Sequence, residues 1–282
     1  GVALLPAGDP NTDTLLVMYG NSSGGPQGDM VLSQDATAQT YAPRTPTAYA
    51  PNDQVIATER LRPDPCTYAS GNYLRVETVG SATPANAPST LNMTTKTSTG
   101  NSKVNGALFN IGQAPVFAAY AIRKGNLTVC DFAQRDCSNA GKKDDSTFWT
   151  TLANNIVSLR AQYGHDTATV ASAAPADGST YAVNMFDQVT PATACAWMRT
   201  LALRLVLVAR SGQYDKEAVT TAAPGWSGSV AGSAAGSTAA PLDLSRNPDG
   251  STNADWQHYR YKTFQSVVPL RNITWLGVQP SC

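Results

Sequence analysis

The sequence predicts a mainly β fold of antiparallel sheets joined by long loops. Short runs of β-branched, aromatic and alternating residues recur between breaks rich in Gly, Pro and Asn, the pattern of a β-rich domain. Two segments alternate cleanly. In residues 156–163, Val157, Leu159, Ala161 and Tyr163 oppose Ser158, Arg160 and Gln162, and in 203–210, Leu203, Leu205, Leu207 and Ala209 oppose Arg204, Val206, Val208 and Arg210. Such a period of two marks a half-buried strand. A hairpin signal, Arg123-Lys124-Gly125-Asn126, separates strand-like runs at 116–122 and 127–130, because Gly and Asn tolerate the positive φ of hairpin turns.

The remaining elements follow in order. Residues 14–19 form a continuous apolar run, too short for a typical helix and closed by Gly20-Asn21, so they read as a strand buried on both faces. Strands are expected at 55–61 and 73–79, flanking a loop at Pro63-Asp64-Pro65-Cys66. Residues 192–202 read as helical, leading into the strand at 203–210. Three stretches poor in large apolar residues, 33–51, 81–103 and 220–241, read as loops. The last is expected to be mobile, since it buries too little surface to offset its ordering entropy; its Gly225-Trp226-Ser227-Gly228 reads as a loop with one anchoring tryptophan. Strand-like segments recur at similar spacing throughout, so residues 1–282 are expected to form a single domain.

With 282 residues the chain can bury a sizeable core. Only 14% of residues are charged and the formal net charge is zero. This suits a secreted or surface-exposed protein and supplies no overall field for nucleic acid or an anionic membrane. No apolar run reaches the roughly 18 residues of a membrane-spanning helix. The five cysteines are Cys66, Cys130, Cys137, Cys195 and Cys282, an odd count without a zinc-type spacing. Cys130 and Cys137 bracket a short polar span that a disulfide would close, contributing roughly 2 to 3 kcal/mol through loop entropy. Pairing among Cys66, Cys195 and Cys282 is not assigned by their spacing.

Catalytic signatures are missing. His165 and His258, the two histidines, sit in no motif that supplies a nucleophile, metal or acid partner, and His165, which follows a strand, reads as a turn or surface residue. A nucleophile beside either one in a cleft would point to a hydrolase. There is no nucleophile-elbow motif, no phosphate-binding glycine loop, and no basic run interleaved with aromatics. Asp249, Ser251, Asn253 and Asp255 place oxygens at alternate positions like half of a calcium loop, and Asp9-Pro10-Asn11-Thr12-Asp13 has the same partial look. Turn and cap chemistry explains both equally well. No catalytic, cofactor or nucleic-acid site is expected.

A set of segments in fixed order resembles PilW-type minor pilins. These are residues 11–20, Gly106-Ala107-Leu108-Phe109-Asn110-Ile111-Gly112, and Tyr120-Ala121-Ile122-Arg123-Lys124-Gly125-Asn126-Leu127-Thr128-Val129-Cys130-Asp131 with Cys137 completing a cysteine pair. Residues 154–164, 199–211 and 259–275 follow. The resemblance implies an α+β pilin-like subunit when an N-terminal apolar helix is included, with this chain as a pseudopilin-like, β-rich head lacking that helix. It further implies a non-enzymatic role in priming type IV pili, a place in a tip complex, and contacts with other minor pilins, a large tip adhesin and the major pilin. The subunit would reside in the inner membrane and periplasm before assembly, held to the membrane only through the helix, and in the extracellular pilus afterwards.

A surface adhesin or carbohydrate-binding β module is the competing expectation, motivated by low charge, long Ser/Thr/Gly loops and Trp226. In the closing segment, Tyr259 and Tyr261 share one face while Phe264, Val268 and Leu270 share the other. This implies a bulge near Thr263 or burial on both sides. Pro269, which lacks a backbone donor, belongs at a sheet edge or strand end.

Overall fold

The computed structural model describes residues 5–22, 28–59, 76–84, 86–95, 102–167, 182–230 and 239–270, the side chains of residues 194 and 195 excepted. Its strands are β1 (Leu15–Tyr19), β2 (Asp29–Asp35), β3 (Thr40–Pro43), β4 (Gln54–Thr58), β5 (Val76–Thr83), β6 (Thr90–Met93), β7 (Ala107–Gly112), β8 (Val116–Arg123), β9 (Asn126–Asp131), β10 (Thr150–Ala153), β11 (Ile156–His165), β12 (Met185–Asp187), β13 (Thr200–Arg210) and β14 (Tyr261–Pro269). One short helix, α1 (Ala194–Met198), precedes β13. The fold is mainly β with antiparallel pairing, as the sequence predicts.

The chain divides into two compact units, residues 1–17 with 117–282, and residues 18–116. Both units are built from strands of similar composition, so no change in residue type marks the boundary.

In the larger unit one sheet runs β1-β8-β9-β10 and a second runs β12-β11-β13-β14. The hairpin is tighter than its four-residue signal suggested. β8 pairs with β9 up to Arg123 opposite Asn126, leaving Lys124 and Gly125 as a two-residue turn with φ of 52° and 71°. Asp9 accepts hydrogen bonds from both turn amides, at 3.0 Å from Lys124 and 2.7 Å from Gly125. Its burial pushes the carboxyl pKa up and those amides pull it down. On one face of this sheet Ala119, Ala121 and Cys130 pack with Cys137 and Trp149, and the guanidinium of Arg123 lies 4.0 Å from the Trp149 ring centre. Cys130 and Cys137 are disulfide-bonded. Cys66 and Cys282 lie outside the described residues.

The smaller unit is a closed barrel in the order β2-β3-β6-β5-β4-β7. Its core holds Val31, Tyr41, Val55, Ala57, Val79, Leu91, Met93 and Leu108. Closure hydrogen-bonds strands on both sides and removes the edges that an open sheet exposes. Two expected loops, 33–51 and 81–103, contain β3, β6 and parts of β2 and β5. Four-residue strands that bury only two side chains each leave too few large apolar residues to stand out. Expected strand residues 60–61 and 73–75 lie outside the described residues.

Three further expectations are corrected. β1 is not buried on both faces, because Met18 and Tyr19 are more than half exposed. Only Ala194–Met198 of the expected helix 192–202 is helical, and β-pairing claims Thr200 onward. The closing strand β14 pairs with β13 from Tyr261 to Pro269 without a register shift, so there is no bulge. Tyr261 faces a covered side of the sheet, while Phe264 and Val268 stand on the other side and are exposed. Pro269 is the strand's last residue, as its missing donor requires.

The described parts of the expected mobile loop, 220–230 and 239–241, pack onto the second sheet. Trp226 is buried with Val206, Val208, Ala240 and Leu242, and its indole N–H donates to the Ala240 carbonyl at 2.7 Å. Ser227 and Gln265 exchange two hydrogen bonds, at 3.1 and 3.0 Å. Residues 231–238 lie outside the description.

Two outcomes follow from these contacts. Non-reducing peptide mapping yields a species linking Cys130 to Cys137, and Cys130→Ser with Cys137→Ser lowers unfolding free energy by about 2.5 kcal/mol in a urea titration, the loop-entropy value for so short a ring. Trp226→Ala costs about 3 to 5 kcal/mol in the same titration, as expected for emptying a buried aromatic site.

Candidate docking groove

The two faces of the second sheet differ because each of its long strands alternates. The register sets Leu159 opposite Leu207, Ala161 opposite Leu205, and Tyr163 opposite Leu203. On the other side of β13, Leu207 meets Phe264, Leu205 meets Ser266, and Leu203 meets Val268. One face therefore carries Leu, Ala, Tyr, Phe and Val with a single Ser. The opposite face carries Ser158, Arg160, Gln162, Arg204, Val206, Val208 and Arg210, and the segment containing Trp226, Ala240, Leu242 and Leu244 covers part of it.

Among the described residues no comparable layer covers the Leu205 face. Leu203, Leu205 and Leu207 are half-buried, and Phe264 and Val268 are 56% and 43% exposed. Leu159, Leu205, Leu207 and Phe264 of this face, together with Leu15 and Val17 of β1, Tyr120 of β8 and Leu127 of β9, line a groove of about 430 Å³. Among the described residues, no Lys, Arg, Asp or Glu lines it.

Asp13 ties the start of β1 to the second sheet. The Asp13 amide donates to the Leu159 carbonyl at 2.8 Å, and its carboxylate accepts from the Ala161 amide at 2.8 Å and the Gln188 side chain at 2.8 Å. Arg160 lies 3.4 Å from the same oxygen. Burial pushes the Asp13 carboxyl up, while the amide bond and the Arg160 charge oppose it. The groove walls are thus fixed by hydrogen bonds outside the apolar surface.

The histidines are engaged elsewhere. His165 lies between Asp187 Oδ1 and Thr200 Oγ1, each 3.2 Å away. The Thr200 hydroxyl is fully buried and donates to the Ala196 carbonyl at 2.9 Å, so it is not presented for attack on a substrate. The group joins α1 to β11 and β12. His258 stacks on Tyr214 at 4.9 Å and donates through Nδ1 to the Asp215 carbonyl at 2.9 Å.

The half-calcium pattern folds as turns. Asp249 accepts from the amide and hydroxyl of Ser251, which hold its carboxyl below the usual range, and Asn253 accepts from the Asp255 amide at 3.2 Å. Among the described residues no three His, Cys, Asp or Glu side chains gather as a metal site. The groove itself has no motif to announce it. The alternation at 156–163 and 203–210 supplied one wall, but nothing in the sequence showed that this face, rather than the Val206 face, is the open one.

No helix among the described residues is long and apolar enough to cross a membrane. No curated protein and no solved structure matches the chain. Residues 119–272 match the family model of Type IV Pilus-assembly protein W. Of the segments that carry the resemblance in the sequence, those at 120–131, 154–164 and 199–211 fall inside this match, and those at 11–20 and 106–112 fall outside it. The match takes in β9 to β14, hence most of the groove, and covers more than half of the chain. The chain belongs to the type IV pilus-assembly protein W family, PilW, which implies a role in assembly of type IV pili.

Proposed function

We propose that this chain is the head of a minor pilin and that its groove seats an apolar helix of the same polypeptide, the element that would hold the subunit in the inner membrane and then in the fibre. The observation that supports this is the open face of Leu205, Leu207 and Phe264, apolar and free of charged lining. Covering each such side chain stabilises the contact by roughly 1.5 to 3 kcal/mol when burial is complete.

In this role the subunit acts without catalysis. It joins other minor pilins to prime the pilus and sits with them, and with a large adhesin, at the tip, where the major pilin extends the fibre below. Backbone edges and loop surfaces make such contacts without special side chains, in keeping with the balanced charge of the chain.

Leu205→Lys and Phe264→Lys introduced into the chromosomal gene reduce surface pili and twitching tenfold or more. Phe264 is largely exposed, so the head carrying Phe264→Lys alone keeps its stability within about 0.5 kcal/mol. Wild-type pilus numbers in the double variant would overturn the helix seat. Failure of the head to co-purify with any other minor-pilin head would overturn the tip complex.

A further inference from the structure

The barrel of residues 18–116 lies wholly outside the PilW match at 119–272, has its own core, and closes its own entrance. The Asn21 amide donates to the Ile111 carbonyl at 3.0 Å, and the Ala114 amide donates to Asn21 Oδ1 at 3.1 Å. The segments where the chain enters and leaves the barrel are thus stitched side by side. Gly112, at φ +83°, approaches Asn21 so closely that a Cβ would meet its side chain at 2.2 Å. An insert with its own core and joined ends has the construction of a separate module.

Beside this stitch the barrel surface holds a polar bowl of about 340 Å³, lined by Asn21, Thr47, Asp53, Asn110 and Gln113 among others. Asp53 is only 7% exposed. Its Oδ2 accepts from the Ala50 amide at 2.9 Å and from Asn110 Nδ2 at 2.8 Å, whereas its Oδ1 accepts no hydrogen bond among the described residues. Asn110 is held in turn by the Ala48 carbonyl and the Gly112 amide, so the carboxylate is fixed before any ligand arrives. At the rim, Gln113 donates to the Pro51 carbonyl at 3.2 Å and keeps its amide oxygen for a ligand, and Thr47 is exposed.

We infer that this bowl binds a neutral polyhydroxylated ligand, a sugar unit of a surface glycan. Vicinal hydroxyls donate to the unused oxygens of Asp53 and Gln113 and accept from Asn21 Nδ2 and the Thr47 hydroxyl, which is the complement that a rigid carboxylate, two amides and a hydroxyl offer. Lys and Arg balance Asp and Glu across residues 18–116, which disfavours a nucleic acid. A closed barrel offers no strand edge to an extended peptide. The lone Asp53 carboxylate falls short of the several oxygens that a hard cation needs.

The test is saturation-transfer NMR on the whole chain with D-glucose, D-galactose, N-acetyl-D-glucosamine and their β-linked disaccharides. Transfer to at least one sugar is expected. Thr47→Arg, an exposed change that fills the bowl, weakens that sugar tenfold or more, and Asp53→Asn weakens it similarly. Leu205→Lys, in the groove of the other unit, leaves it unchanged, so this outcome is independent of the pilus role. No transfer from any of the sugars, or undiminished binding by Thr47→Arg with wild-type thermal unfolding, would overturn the inference.

Discussion

The ladder that β13 makes with β11 on one side and β14 on the other is the constraint on which the larger unit depends. The eight residues Ala202 to Ala209 of β13 pair on both edges, so each side chain of this stretch is assigned to a face. A shift of one residue would exchange Leu203, Leu205 and Leu207 for Arg204, Val206 and Val208. Both faces contain apolar residues, and this makes the register consequential: one set is covered by Trp226, Ala240 and Leu242, and the other is left to line the groove.

Around this ladder, one buried and two half-buried charges tie the chain's early residues to the sheets. The guanidinium of Arg123 donates to the carbonyls of Pro6 and Ala7 at 2.9 and 3.1 Å, Asp9 closes the β8–β9 turn, and Asp13 reaches the Leu159–Ala161 stretch of β11. Each charge hydrogen-bonds backbone groups of a neighbouring segment: Arg123 those of Pro6 and Ala7, Asp9 those of Lys124 and Gly125, and Asp13 that of Ala161. Burial opposes the charged form in all three. Together they direct residues 6–13 along the sheets into β1, and so fix the position of Leu15 and Val17 in the groove.

How much of this was legible in the sequence depended on strand length. The period of two in 156–163 and 203–210 was plain because those strands run for ten and eleven residues. The barrel strands β3 and β6 have four residues each, and Tyr41, Leu91 and Met93 stand alone among Thr, Ala, Ser and Asn. The bowl was invisible for a related reason. Asn21, Thr47, Asp53 and Gln113 are ordinary turn residues, and only barrel closure gathers them.

The sequence by itself determined the β class, the antiparallel hairpin, the long alternating strands, the cysteine pair 130 and 137, and the PilW resemblance. All of these are local patterns or an ordered string of them. Tertiary structure alone decided that residues 18–116 form a second unit, that Trp226 covers the Val206 face, and that no comparable layer among the described residues covers the Leu205 face. Alternation states that a strand has two faces, but which face is covered depends on pairings between residues far apart in the chain, and a single sequence does not encode those as a visible period.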